Sequence, residues 1–420
     1  MLKLFRITGK NIFWGIIIIL IMSNSGIPSQ KFSEIVRVDT RWIEFDYVSW
    51  TIDTIWRKAA QVSLGVQRYM DESQQERVVK DYFNLISQQR ELKDTINTIY
   101  ADPTIANPEL MAAPYLADQR VVQQDLKHVG YLFEAIMQSQ VSYTTSVSKL
   151  GYLQQPIPPV QYHTTSMPYA LIVSPRNEIR QDADISLLPE LTLDQIVELE
   201  KRVEERLDVS ALVVQVGGVG VYPTMVMETS NLNWLAEVVS HEWIHNFLTL
   251  HPLGMLYNQT PELRTINETT ASIAGKELGN LLIEFFYPAL KPKPVVETEE
   301  ITAMASEDNS PPIFDFRAEM RETRVTVDAM LAKGKIEEAE QYMEERRQIF
   351  VSNGYNIRRL NQAYFAFHGA YADQPGGAAG EDPVGEAVRT LRSQSDSLAE
   401  FVKRIAWVTS FERLQTILRN

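Results

Sequence analysis

The amino-acid sequence predicts a predominantly helical α+β protein in which a small sheet lies beside one functional helix. Apolar residues recur every three or four positions over long stretches, as in amphipathic helices. Three short apolar runs, at 170–173, 211–216 and 221–227, predict strands. The 420 residues are 45% hydrophobic, enough for sizeable cores, and this length predicts two or three domains.

The N-terminal segment, residues 1–29, predicts a signal peptide or a signal anchor. Lys3, Arg6 and Lys10 precede an unbroken apolar run over Ile12–Met22. The run is short for a bilayer span, which favours cleavage, but the residues after it are a mediocre cleavage site. The charge bias places the rest of the chain outside the cytoplasm, either anchored to the membrane or secreted.

The second segment, residues 30–155, predicts a helical hairpin or small bundle. Apolar residues recur at three- and four-residue spacing from about Phe45 to Leu150, for example at Val48, Ile52 and Ile55. The sequences Asp102-Pro103 and Asn107-Pro108 divide it into long antiparallel helices. No cluster of residues in this segment suggests chemistry.

The remaining chain predicts a catalytic core over residues 156–290 and a C-terminal helical subdomain over residues 314–420. A loop rich in proline and acidic residues, 291–313, connects them. Within the core, Pro223 predicts that the strand at 221–227 lies at a sheet edge. Ser230 or Asn231 can then cap the next helix. Further helices are predicted at 193–207, 316–332, 336–351 and from 384 to the end.

Composition excludes several classes of function. The net charge of −14 disfavours nucleic acid, because duplex binding requires basic residues that neutralise phosphates. The chain has no cysteine, which excludes disulfides, thiolate metal sites and catalytic thiols.

The chemistry-bearing motif is His241-Glu242-Trp243-Ile244-His245, in an apolar helix that follows the third strand. Residues four apart on a helix lie about 40° apart and one turn along, so both imidazoles can reach one metal ion. Glu242 then lies beside the metal, where a carboxylate can hold a water molecule and accept its proton.

A catalytic zinc ion requires a third protein ligand and one open position. Glu268 is the preferred candidate, 23 residues beyond His245 at the start of a second helix. His251 and Glu262 remain alternatives. If the helix continues, His251 lies about 9 Å further along and about 120° round from His245, and Glu262 follows a proline in a predicted loop.

The two motifs together resemble the gluzincin metallopeptidases, the group that includes thermolysin and the large aminopeptidases. The resemblance covers about residues 217–284 and the pattern His-Glu-x-x-His followed by Asn-Glu-x-x-Ala. It implies His241, His245 and Glu268 as zinc ligands and Glu242 as the general base. It also implies that an edge strand, here 221–227, binds the substrate backbone. The Gly-x-Met-Glu-Asn signature of those aminopeptidases is absent, so internal and terminal cleavage both stay open.

Such a site also needs a group that stabilises the developing oxyanion. We expect it on a C-terminal helix over 356–368, where Tyr364 is the first candidate and His368 the second. An ordinary core role for this helix is the competing interpretation.

The sequence therefore predicts an extracytoplasmic peptidase that holds one zinc ion per chain and acts on a peptide or protein substrate. Two alternatives remain. One is a zinc hydrolase of a non-peptide amide, which fold and motif also permit. The other is a non-catalytic metal-binding scaffold in the cell envelope, although a purely structural site would not need Glu242 and would use a fourth protein ligand.

Overall fold

The computed structural model describes residues 32–102, 104–153, 155–291 and 314–419. They form a predominantly helical α+β structure with two small sheets, which confirms the predicted fold class. The predicted signal segment and nearly all of the 291–313 loop lie outside the described residues. Within the described part of the chain, no helix has the length and apolarity needed to cross a membrane.

Fourteen α-helices follow one another along the described chain. In order, they are α1 Phe32–Val36, α2 Tyr47–Leu64, α3 Glu72–Ala101, α4 Pro108–Val147, α5 Leu193–Leu207, α6 Leu232–Thr249, α7 Pro252–Met255, α8 Pro261–Phe286, α9 Phe316–Leu331, α10 Ile336–Ser352, α11 Gln362–His368, α12 Pro383–Ser393, α13 Leu398–Ile405 and α14 Phe411–Leu418. The predicted C-terminal helix is thus three short helices.

The N-terminal hairpin, α3 and α4, has the form that its sequence predicts. Asp71 begins α3 with a capping box, in which its side chain accepts from the Gln74 backbone and the Gln74 side chain accepts in return. Asn107 caps α4, whose first residue is Pro108. The two helices pack along each other, and Tyr82 of α3 stacks on Phe133 of α4.

Helix α2 buries the face opposite to the one that its apolar periodicity suggests. Val48, Ile52 and Trp56 are 71%, 53% and 74% exposed. The buried stripe is polar instead and contains Thr54, Lys58 and Gln61. The periodicity therefore predicted the helix correctly, but the buried side of this helix is determined by polar partners on α4.

Glu134 of α4 is the centre of that polar contact. Its carboxylate pairs with Lys58 of α2, with His163 Nδ1 at 2.8 Å, and with the backbone N–H of Thr164 at 2.8 Å. Burial alone would raise the pKa of Glu134, but the charge of Lys58 and the hydrogen bond with His163 outweigh it and lower the pKa to about 2. One buried carboxylate thus joins α2, α4 and the first strand.

Two three-stranded sheets complete the fold. Their strands are β1 Tyr162–Thr165, β2 Tyr169–Pro175, β3 Ala183–Leu187, β4 Val209–Gln215, β5 Gly218–Val219 and β6 Thr224–Met227. One sheet has the order β1-β6-β5 and the other β3-β2-β4. The strands β2 and β4 confirm the predicted ones at 170–173 and 211–216, while β1 and β3 were not predicted.

The predicted edge strand at 221–227 is wrong in its position. The strand begins only at Thr224, after Pro223, and lies in the middle of its sheet between β1 and β5. Pro223 is compatible with this arrangement because it precedes the first paired residue, so its missing N–H removes no hydrogen bond from the ladder. The edge beside helix α6 is β5, Gly218–Val219.

A single hydrophobic core connects the hairpin to the helices of the predicted catalytic core. It includes Phe133 and Val141 from α4, Trp243 from α6, Leu278 from α8 and Phe401 from α13. The N-terminal hairpin therefore packs directly behind the two helices that carry the functional motifs.

Candidate metal centre

Two glycines set the distance between α6 and α8, the helices that carry the motifs. A Cβ atom added to Gly275 would lie 2.8 Å from the backbone N, Cα and Cβ atoms of His241. One turn later, a Cβ on Gly279 would lie 2.8 Å from the backbone nitrogen of Glu237. The backbones of the two helices are therefore in direct contact at His241, and this contact brings Glu268 opposite the two histidines.

Substituting Gly275→Ala is expected to lower the free energy of unfolding by about 1–3 kcal/mol, because the obstructing atoms are mostly backbone and cannot rotate away. Metal affinity should fall as well, since Glu268 moves with α8. Chemical denaturation and a metal titration measure the two effects. Gly130→Ala is the matched control, because its Cβ would meet only Tyr82, at 3.8 Å. Unchanged stability and affinity in Gly275→Ala would contradict this account of the crossing.

Three side chains converge at this crossing. His245 Nε2 lies 3.0 Å from His241 Nε2, and Glu268 Oε2 lies 3.6 Å from His241 Nε2 and 3.4 Å from His245 Nε2. The three side chains are between 6% and 15% exposed. Among the residues that the structure describes, these three form the group of histidine and carboxylate side chains that could hold a metal ion.

The geometry of this group fits a tetrahedral metal ion. With metal–ligand distances of about 2.0–2.1 Å, the ligand atoms of a tetrahedral site lie about 3.3 Å apart, and the three distances bracket that value. Glu268 Oε2 is buried without any hydrogen-bond partner, which is costly unless a cation is bound to it. The other oxygen, Oε1, accepts a hydrogen bond from the Tyr257 hydroxyl.

A second layer of residues orients the ligands. Asn267 Oδ1 lies 2.8 Å from His245 Nδ1, so Nδ1 donates to it and Nε2 keeps its lone pair for a metal. Burial alone would lower the pKa of His245, but the negative charge of Glu268 raises it to about 9. The carboxylate therefore favours a positive charge at this place, which a metal ion supplies.

Glu242 lies beside the ligand group and does not belong to it. Its carboxylate is buried against β5, where a Cβ on Gly218 would lie 2.4 Å from Glu242 Oε1 and one on Gly220 would lie 3.3 Å from Oε2. Glycine is required at Gly218 for this close approach. Burial raises the pKa of Glu242, and the charges of His241 and His245 oppose the rise. A carboxylate with a raised pKa is suited to exchange a proton.

The site opens into a cavity of about 390 Å³. Its lining includes strand β5 together with Tyr257, Arg264 and Tyr371. Tyr47, from the first turn of α2, also lines it and donates a hydrogen bond to Ser186 of β3 at 2.8 Å. The N-terminal region thus contributes a residue to the cavity, which its sequence did not suggest.

The structure does not bring the alternative third ligands to this group. Helix α6 ends at Thr249, and His251 turns back so that its Nδ1 lies 2.8 Å from the Phe247 carbonyl oxygen. Glu262 is exposed in the first turn of α8. Of the three candidates, the structure places Glu268 at the two histidines.

The structure does not bring the candidates for the oxyanion group, Tyr364 and His368, to the cavity either. The helix begins only at Gln362, after its N-cap residue Asn361, and Arg358 lies before it in an ion pair with the buried Glu200 of α5. Tyr364 and His368 pack on each other with ring centroids 4.3 Å apart, where burial raises the pKa of Tyr364 to about 12 and lowers that of His368 to about 4.

Sequence reasoning missed Tyr371, which does line the cavity. Its ring lies 6.3 Å from the His241 ring, at an angle of 25°. Tyr371 comes three residues after His368, so the same periodic pattern extended by one turn would have included it. The helix itself ends at His368, and the chain then turns back towards the metal ligands.

In comparisons with known proteins, no family model, no curated protein and no solved structure matches the chain.

Proposed function

We propose that this protein is a zinc-dependent peptidase that is exported by its N-terminal segment and hydrolyses peptide bonds outside the cytoplasm. The observation that carries the proposal is the convergence of His241 Nε2, His245 Nε2 and Glu268 Oε2, with the Glu242 carboxylate beside them. Three ligands leave one position of a tetrahedral ion open, as catalytic zinc sites do and structural sites do not.

Each residue then has a defined task. His241, His245 and Glu268 would hold the zinc ion, which would supply a bound water with a pKa of about 7 and a positive charge that polarises the carbonyl oxygen. Glu242 takes the proton from the attacking water and delivers it to the nitrogen of the leaving amine, while the C–O bond forms and the C–N bond breaks. Asn267 and Tyr257 hold His245 and Glu268 in position.

The cavity also offers groups for the substrate and for the oxyanion. Strand β5 is the edge strand of its sheet and lines the cavity next to Glu242, so an extended peptide could add to the sheet there. Tyr371 takes the role first assigned to Tyr364 and His368, because its hydroxyl can donate a hydrogen bond to the oxyanion.

The test is metal content together with peptide hydrolysis by the full-length protein. We expect about one zinc ion per chain in the wild type. Glu268→Ala should weaken binding by more than about 100-fold, since even outer-shell substitutions cost 10- to 100-fold. Glu262→Ala, on the same helix but exposed, is the matched control and should keep both metal and activity.

A wild type that binds no metal after reconstitution would overturn the proposal. Metal bound without hydrolysis of any peptide in a diverse library would favour an envelope scaffold, or a hydrolase of a non-peptide amide. Metal retained in Glu268→Ala would contradict the proposed ligand set.

A further inference from the structure

A buried arginine stands in the metal cavity without an ionic partner. Arg264 lies on α8 one turn before Glu268 and is 8% exposed. Its Nη1 donates to the Ala366 carbonyl oxygen at 3.0 Å, whereas its Nε has no hydrogen-bond partner. The carboxylates of Asp184 and Glu268 act on the guanidinium through space but form no salt bridge with it.

Burying a guanidinium without a salt-bridge partner costs free energy of folding unless the guanidinium binds an anion. Guanidinium stays charged in proteins, so Arg264 cannot relieve its burial by losing a proton. Buried charges are retained where a partner with good geometry neutralises them. Within the described structure, Arg264 hydrogen-bonds the Tyr257 side chain and the Ala366 carbonyl oxygen but has no salt-bridge partner, and its side chain lines the cavity in which a substrate would lie.

We propose that Arg264 binds the C-terminal carboxylate of the substrate, so that the protein removes residues from the C-terminal end of peptides. This inference rests on the proposed peptidase function. Guanidinium and carboxylate match in a two-pronged hydrogen-bonded pair, and a substrate carboxylate would give Arg264 the partner that it lacks.

The spacing of Arg264 and Glu268 along α8 agrees with a substrate that has a single residue beyond the cleaved bond. Arg264 precedes the ligand Glu268 by four residues, a rise of about 6 Å along the helix axis. One extended residue spans about 3.5 Å, and a hydrogen bond to its carboxylate adds about 2.9 Å. The backbone spacing on α8 is therefore similar to the length that a terminal carboxylate one residue beyond the cleaved bond would span.

Arg264 also lies at a boundary of the cavity. Together with Tyr257 it lines both the metal cavity and a neighbouring one of about 440 Å³.

The reaction is hydrolysis of the last peptide bond of the substrate. Water adds to the carbonyl carbon of the last peptide bond, and that carbon loses its bond to nitrogen. The proton from water passes through Glu242 to the nitrogen of the released amino acid. The shortened peptide leaves with a new carboxylate, which can occupy the Arg264 position in the next cycle.

The experiment compares N-acetylated hexapeptides that end in a free carboxylate with the same peptides ending in an amide, using the full-length zinc-loaded protein. The wild type should release the last residue from the free acids with kcat/KM at least about 100-fold above the amides, because the amide leaves the buried guanidinium unpaired. Arg264→Met should reduce this ratio to below about fivefold, and Arg264→Lys should restore part of it.

Asp184→Asn changes the charge in the opposite direction, since Asp184 is an acidic group in the same cavity and its carboxylate would repel the substrate's. It should increase the preference for free acids. Metal content and unfolding of each variant separate binding effects from misfolding. Equal cleavage of acids and amides by the wild type, or internal cleavage, would overturn the inference and leave the peptidase function intact. Metal-loaded protein that cleaves neither series would overturn both.

Discussion

Replacing Glu242 by glutamine is expected to lower kcat by about 10³–10⁴-fold while one metal ion stays bound to each chain. Glutamine keeps the shape of the side chain against Gly218, so the ligands His241, His245 and Glu268 remain in place. It cannot accept a proton from water, and the acid–base contribution to the rate is lost. Single-turnover kinetics and metal analysis of the same preparation measure the two quantities.

The control for this substitution is Glu237→Gln, on the same helix and outside the metal cavity, which should retain nearly wild-type activity. A Glu242→Gln protein that keeps its metal and remains within tenfold of wild type would show that another group carries the proton. Loss of metal in this variant would mean that Glu242 supports the ligand group itself.

A large loss of stability is expected from Glu134→Ala, about 3–5 kcal/mol of unfolding free energy. The change leaves Lys58 buried with Gln61 as its remaining partner and removes the acceptor for the Thr164 N–H. Removing both charges, in Lys58→Met with Glu134→Leu, should cost much less, because no uncompensated charge remains. Denaturant unfolding of the two variants and the wild type gives the comparison.

The contribution of Glu134 to the free energy of unfolding should fall as the pH is lowered. Its pKa falls from 4.5 to about 2 on folding, so its stabilising contribution is complete above about pH 4.5 and is lost as the pH falls towards 2. The difference between wild type and Glu134→Ala should therefore shrink below pH 4. A difference that stays constant from pH 7 to pH 3 would contradict the assignment.

The two histidines of the proposed metal site could be predicted from the sequence because helical spacing places them close together. His241 and His245 are one turn apart on α6, and Asn231 caps that helix as expected. Glu268 required a second helix, and its choice over His251 and Glu262 rested on the helical position of His251 and on the predicted loop around Glu262. What the sequence did not reveal was the cause of their meeting, the contact of Gly275 with the His241 backbone.

Residues that meet only through tertiary packing were missed. Tyr371 lies beyond the end of its helix, Tyr47 reaches the cavity from α2, and Arg264 was not singled out among the residues of its helix. The side of α2 that is buried was also missed, since hydrophobic periodicity has no means of showing that Lys58 would find Glu134. Strands β1 and β3 are four and five residues long, too short for their alternation to stand out.

The glycine contacts between α6 and α8 also bear on the order in which the protein matures. Backbone packing at Gly275 and Gly279 places the ligand side chains before any ion arrives, unlike small zinc modules that fold only around their metal. On the proposed function, the exported chain would fold first and acquire its ion afterwards from the surroundings. Its stability should then rise with zinc concentration by simple mass action, and its metal-free form should already be folded.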